Sequence, residues 1–184
     1  MQTIAEYTIE EHKHILSTWA AATAASSSPK CRFKVEVAKR VLESLNIQEL
    51  IKEIPQLKSS ETFDRWHDKQ CNTLVEIAKG EIKGFSYGVA AKLLNCYLKV
   101  YFLDQLNKFS FIHPPVDRPL LGNLEKMNIG LKKKIWKEYK SKGWSNFSRE
   151  DYRQVIASIK EALKHEIKDE KSLWKIEYYW PGHQ

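Results

Sequence analysis

Three polar residues with helical spacing stand in the most apolar stretch of this chain. Between Val89 and Leu103 every residue is apolar or weakly polar except Lys92, Asn95 and Lys99, which are three and four positions apart. That spacing places all three on one face of a helix. Because a lysine amine can act as a nucleophile, we predict that Lys92 and Asn95 form one wall of a functional cleft. The alternative is that they form the solvent side of a core helix, because long lysines reach water from apolar surroundings.

A carboxylate follows this stretch in the segment His113-Pro114-Pro115-Val116-Asp117. Two consecutive prolines stiffen the approach to Asp117, and an aspartate in this place can cap the next helix by accepting backbone N–H bonds. A carboxylate at a helix start can also tune a nearby lysine or stabilise developing positive charge. The segment His113–Arg118 therefore predicts the other wall of the cleft, with Lys92 and Asp117 as its catalytic pair.

The sequence around these two residues resembles the core of the helix-hairpin-helix DNA glycosylases, in which a Gly-Val-Gly-x-Lys turn precedes a Pro-Val-Asp segment. The matching residues are Gly88-Val89-Ala90-Ala91-Lys92 and Pro115-Val116-Asp117. The resemblance implies that Lys92 is a Schiff-base nucleophile and that Asp117 assists departure of the damaged base. It also implies that backbone amides around Ser86–Val89, including that of Gly88, bind a phosphate.

The match departs from the family at three points. Ala90 replaces the second glycine of the turn, and the spacing from the lysine to the aspartate is longer than in the family. Three scattered cysteines exclude the four-cysteine iron–sulfur site of the family.

A second resemblance covers most of the chain. The following segments look like the signatures of an uncharacterised bacterial protein family: Trp19-Ala20-Ala21, Cys31-Arg32-Phe33-Lys34-Val35-Glu36, Gly88–Lys99, His113–Asp117 and Leu173-Trp174-Lys175-Ile176-Glu177. This resemblance implies a bacterial protein of the cytoplasm and supplies no mechanism.

A basic segment follows between Met127 and Gly143. Its one acidic residue is Glu138, and its lysines are Lys132, Lys133, Lys134, Lys137, Lys140 and Lys142. With Trp136, Tyr139 and nearby Trp144 interleaved, such a surface could hold phosphates and stack on bases. We predict that Lys132, Lys133, Lys134 and Lys137 bind nucleic acid, together with Gly88 and Asn95. Leu131, Ile135 and Tyr139 also share one helical face, so the aromatic residues could instead be core and the lysines a solvated face.

Composition narrows the functional classes. A chain of 184 residues with 42% hydrophobic residues is long enough to bury a core as one domain spanning residues 1–184. The longest apolar run falls short of the roughly 20 residues that a bilayer span requires. Three widely separated cysteines and the lack of a signal-peptide pattern favour the cytoplasm. A formal charge of +7 favours an anionic partner such as DNA or RNA.

Neither a cofactor nor a metal is expected. The phosphate-binding, serine-hydrolase and dinucleotide-binding motifs do not occur. His12 and His14 are two positions apart, which points them in different directions on a helix. Cys96 lies on the apolar helix and is expected to be a small buried hydrophobe.

Start signals and spacing predict an all-α domain, a compact bundle around a central apolar helix at Ser86–Leu103. The other predicted helices cover residues 8–25, 35–45, 47–54, 59–80, 131–139 and 148–163, with one more that begins at Asp117. The sequence as a whole favours a nucleic-acid-binding helical protein with a glycosylase-like site, with catalysis left open. The alternative is a non-enzymatic structural or interaction protein that binds a protein partner through the aromatic segment Trp174–Trp180.

Overall fold

A computed structural model describes residues 6–169 and 171–181. Five of the helices in these ranges begin at a residue whose side chain caps the first turn. Thr8, Ser59, Ser86, Asp117 and Ser148 each accept a backbone N–H of the first helical turn. Such a bond satisfies a donor that the helix itself leaves without a partner, so short polar residues fix where these helices begin. The α-helices are α1 (Ile9–Ala25), α2 (Val35–Ser44), α3 (Ile47–Leu50), α4 (Ser60–Ala78), α5 (Tyr87–Tyr101), α6 (Arg118–Lys126), α7 (Lys133–Lys142) and α8 (Arg149–Ile167).

The α5 helix forms the centre of the molecule. Every residue from Tyr87 to Leu98 is buried, and α5 packs against α1, α4 and α8. Burial around the whole circumference follows from a helix that is apolar on nearly every side. The predicted all-α bundle around a central apolar helix is confirmed, and no strand occurs among the described residues. None of the described helices is both long and apolar enough to cross a membrane.

Several predicted boundaries differ from the structure, and three of these differences have a visible cause or consequence. The segment predicted as one helix at 47–54 is α3 followed by a 3₁₀ turn at Ile51–Gln56, and this tighter turn accommodates Pro55. The central helix ends at Tyr101, and Leu103 is 63% exposed in the 3₁₀ turn that follows. Leu131 lies outside α7 with a φ of 57° and is 71% exposed.

The turn before α7 explains the third difference. Asn128 and Gly130 also have positive φ values, of 53° and 64°. A Cβ on Gly130 would lie 2.6 Å from the Cα of Ala162 on α8, so the turn docks backbone against backbone. This close approach turns Leu131 away from the core, and hydrophobic spacing alone does not reveal such a turn.

Candidate functional site

Lys92 and Asp117 meet in the structure. Lys92 Nζ lies 3.7 Å from Asp117 Oδ2, and the two side chains are only 6% and 12% exposed. Lys92 is in the second turn of α5, whereas Asp117 is the N-cap of α6. The interpretation of the polar stripe as a solvent-facing side is therefore wrong for Lys92.

Asp117 uses both of its carboxylate oxygens. Oδ1 accepts the backbone N–H of Leu120 at 2.9 Å, which confirms the predicted helix cap. Oδ2, the oxygen that faces Lys92, accepts the indole N–H of Trp180 at 3.1 Å. The cap and the contact with the lysine are thus simultaneous.

An aromatic ring covers the other side of the lysine. Lys92 Nζ lies 4.1 Å from the ring centroid of Trp144, a cation–π geometry that stabilises the charged ammonium where water is scarce. The turn that carries Trp144 docks on the start of α5. Ser86 Oγ donates to the carbonyl of Ser145 at 2.7 Å, and the Gly88 N–H donates to the carbonyl of Phe147 at 3.1 Å.

The role expected for the Gly88 amide is corrected by this contact. A Cβ on Gly88 would lie 1.9 Å from the carbonyl oxygen of Trp144, so only glycine fits there. The Val89 N–H is also bonded, to Ser86 Oγ at 3.2 Å. Because both amides have partners within the chain, the structure does not place them to bind a phosphate.

Two clefts meet at the Lys92–Asp117 pair, and both residues line each of them. The first, of about 430 Å³, has Trp19 and Trp180 among its walls. The second, of about 550 Å³, is lined by Lys30, Arg118 and Lys142 together with serines and Trp144. Among its lining residues Asp117 is the single carboxylate against four cations, of which Lys142 also pairs with Asp151, so the second cleft is electropositive.

A second ion pair borders the first cleft. Lys99 pairs with Glu177, and burial raises the pKa of the Glu177 carboxyl even though Lys99 opposes this. Lys99 and Glu177 both line this cleft beside Lys92 and Asp117. Two cations and two carboxylates make the first cleft balanced in charge, in contrast to the second.

Asn95 does not line either cleft. Its side chain is fully buried and donates to the carbonyl of Pro114 at 3.0 Å and to the Tyr152 hydroxyl at 2.8 Å. The predicted contact between Asn95 and nucleic acid is corrected accordingly, because the amide is enclosed and its hydrogen bonds are internal.

Sequence reasoning missed the polar partners of Asn95. His67 Nε2 lies 2.7 Å from Asn95 Oδ1, and His113 Nδ1 lies 3.0 Å from the Tyr152 hydroxyl. The signal was present, because His67 shares the apolar face of α4 with Phe63, Trp66 and Leu74 at helical spacing. A polar residue on such a face needs a partner inside the protein.

The basic segment divides into exposed lysines and a buried aromatic side. Lys133, Lys134 and Lys137 are exposed on α7, whereas Lys132 pairs with Glu161. Trp136 is fully buried, and its indole N–H donates to the carbonyl of Ile129 at 2.8 Å. The segment therefore provides charge without exposing Trp136 for stacking. Of its lysines, only Lys142 lines the electropositive cleft.

The aromatic C-terminal segment packs partly against the domain. It forms a 3₁₀ helix at Leu173–Tyr179 whose Leu173 and Ile176 are buried. Tyr178 is 86% exposed, while Trp180 contacts Asp117. A protein partner at this segment stays a prediction.

The cysteines and histidines do not form a metal centre in the described ranges, where no cluster of three His, Cys, Asp or Glu side chains could hold an ion. Cys31, Cys71 and Cys96 are free and buried. Burial raises the pKa of Cys96 to about 12, so its thiol stays protonated and unreactive at neutral pH.

Comparison with known proteins gave no relative: no protein-family model, curated protein or solved structure matches this chain. Both resemblances therefore stay predictions.

Proposed function

We propose that this chain binds DNA and that Lys92, with Asp117 as its proton acceptor, forms a Schiff base with the sugar of a nucleotide whose base is damaged or lost. The observation that carries the proposal is the 3.7 Å contact between a lysine and an aspartate where two chemically different clefts meet. Polar side chains that converge at the junction of two concavities are the usual candidates for a catalytic site.

The reaction at an abasic sugar uses the two residues in order. The ammonium that the Trp144 ring stabilises cannot attack a carbonyl, so Lys92 first transfers a proton to Asp117 and only the neutral amine reacts. The amine adds to the C1′ aldehyde of the open sugar, forming a C–N bond and a carbinolamine. Asp117 then returns its proton to the carbinolamine hydroxyl, which leaves as water, so that an iminium ion remains on Lys92 and Asp117 is again a carboxylate. Asp117 stabilises this positive charge because its carboxylate is already held in place by Leu120 and Trp180.

The two clefts suit different parts of a nucleotide. The balanced charge and the indole walls of the first suit a planar base, which stacks on aromatic rings. Lys30, Arg118 and Lys142 in the second suit the phosphates on either side of the nucleotide. A bound DNA strand would then run past Lys92 with its sugar at the junction.

Binding is tested by fluorescence anisotropy on an abasic-analogue duplex over a salt series. We expect the logarithm of affinity to fall with the logarithm of salt concentration at a slope of roughly −3, for three phosphate contacts. A Lys30→Glu, Arg118→Glu variant should lose most of this binding. A Lys52→Glu, Lys79→Glu variant has the same net charge and alters two lysines that pair with Glu49 and Glu76 at the surface, so it should bind nearly as wild type. Equal losses in the two variants, or no binding at low salt, would contradict the proposal.

Catalysis is tested separately by borohydride reduction in the presence of an abasic duplex. A Schiff base becomes a stable secondary amine, so we expect a covalent protein–DNA complex. Binding without any covalent complex would limit the chain to a DNA-binding role.

A further inference from the structure

A continuous chain of buried hydrogen bonds runs beneath the site. Asn95 donates to Tyr152, the Tyr152 hydroxyl meets His113 Nδ1 at 3.0 Å, and His113 Nε2 meets Asp64 Oδ1 at 2.9 Å. Asp64 Oδ2 also accepts from Lys160 at 2.7 Å. The Asp64 side chain is 39% exposed, so this hydrogen-bond network runs from the core to the surface.

One assignment of protons satisfies every member. His113 donates through Nε2 to the Asp64 carboxylate, so its Nδ1 accepts the Tyr152 O–H, and the Tyr152 oxygen accepts from Asn95. His67 donates through Nε2 to Asn95 Oδ1, which leaves its Nδ1 facing the Cys71 thiol at 3.6 Å. Both imidazoles are neutral in this assignment, and burial lowers the pKa of each.

This hydrogen-bond network holds the segment that leads to Asp117 in place. Pro114 is buried and has no N–H, and its carbonyl accepts from Asn95. The neighbouring His113 side chain is held by Tyr152 and Asp64. Because proline restricts the backbone at 114 and 115, fixing these two points fixes the path to Asp117.

The two residues of α5 that contact this segment lie on one face of the helix. Lys92 and Asn95 are one helical turn apart, so Asn95 holds Pro114 while Lys92 faces Asp117, three residues further along the segment. The register of the 113–117 segment against α5 therefore determines the Lys92–Asp117 distance.

We propose that Asn95, Tyr152 and His113 are positioning residues, which set the reactivity of Lys92 by holding Asp117 against it. This inference rests on the proposed function for its biological meaning, while the positioning itself is measurable without DNA. None of the three residues contacts the substrate, since all are buried beneath the clefts.

The test compares Tyr152→Phe with Tyr87→Phe. Each removes one buried hydroxyl, but the Tyr87 hydroxyl donates to Asp68 at 3.0 Å and not to Asn95, Tyr152 or His113. Lys92 is probed by reductive methylation with formaldehyde and a borane, and its rate is read by peptide mass spectrometry. We expect Tyr152→Phe to increase the rate of Lys92 methylation about five- to tenfold, because Asp117 moves away from the amine. Tyr87→Phe should stay within about twofold of wild type.

A second variant guards against loss of folding. Asp64→Ala removes the acceptor of His113 at the exposed end of the network and should raise the Lys92 rate in the same direction. Equal rates in wild type, Tyr152→Phe and Asp64→Ala, with all three folded at the assay temperature, would overturn the inference, because a merely structural network would lower thermal stability alone.

Failure of the proposed function gives a different result. Wild type could form no borohydride-trapped DNA complex while Tyr152→Phe still accelerates methylation of Lys92. That result would support the positioning role of the network and contradict the proposed reaction with DNA. If wild type traps DNA and the methylation rates do not differ, the reaction stands and the positioning inference fails.

Discussion

Asp117 Oδ2 faces two donors from different parts of the chain, the Lys92 ammonium at 3.7 Å and the Trp180 indole N–H at 3.1 Å. Since Oδ1 caps α6, a single carboxylate joins α5, α6 and the C-terminal segment. The proposed proton acceptor is thus also a structural junction. Substitutions at Asp117 must therefore separate the effect of its charge from the effect of its hydrogen bonds.

Two substitutions of Asp117 make that separation. Asparagine keeps an oxygen that caps α6 and loses the negative charge, so Asp117→Asn should lower the free energy of unfolding by about 1–3 kcal/mol. Alanine loses the cap and the acceptor and leaves Lys92 without its carboxylate, so Asp117→Ala should lose about 3–5 kcal/mol. Urea unfolding measures both. Equal losses would mean that the helix cap contributes nothing beyond the buried charge.

Gly88 and Gly122 form a matched pair for the docking of the Trp144 turn. A methyl group on Gly88 would lie 1.9 Å from a backbone oxygen, so Gly88→Ala should lower the free energy of unfolding by about 3 kcal/mol or more. The nearest atom to a methyl group on Gly122, within α6, is Lys140 Cδ at 3.8 Å. Gly122→Ala should therefore gain about 0.5–1 kcal/mol from helix propensity. Thermal unfolding measures both variants. A Gly88→Ala variant as stable as wild type would contradict the close packing of Gly88 against the Trp144 carbonyl.

Stability should fall as the pH falls below about 6.5. Burial lowers the pKa of His14, His67 and His113 from the ordinary value of 6.5, that of His67 to about 3. In this window the unfolded chain takes up protons that the folded protein does not, so each such histidine removes up to about 1 kcal/mol per pH unit. The stability that they contribute is complete above pH 6.5.

The pH dependence is measured by urea unfolding between pH 7 and 4. His67→Gln should flatten the slope, whereas His12→Gln, at an exposed position, should leave it unchanged. A wild-type stability that stays constant from pH 7 to 5 would show that the histidines are not held neutral.

Much of the fold was predictable because its signals are local. The caps at Thr8, Ser59 and Ser148 and the apolar spacing of α5 identify the helices without tertiary information. The turn at 128–131 was not predictable, because its backbone conformation depends on contact with α8, which is distant in sequence.

The site was predictable in its central pair and not in its surroundings. Lys92 and Asp117 stood out because each is chemically unusual in its own segment. Trp144, Trp180 and Tyr152 come from the distant second half of the chain, and no local pattern indicates that they converge on α5. For Asn95, spacing gave the correct face of the helix, and only packing shows that this face is enclosed at that point.

The position of the borohydride-trapped cross-link decides whether Lys92 is the nucleophile, because any amine of a protein can in principle condense with an abasic sugar. After nuclease and trypsin digestion, peptide mass spectrometry should locate the sugar remnant on Lys92. The Lys92→Arg variant, which keeps the charge beside Asp117 but lacks the primary amine, should bind the abasic duplex and form no cross-link. A remnant on another amine, with an undiminished yield in Lys92→Arg, would contradict the assignment of Lys92 as the nucleophile.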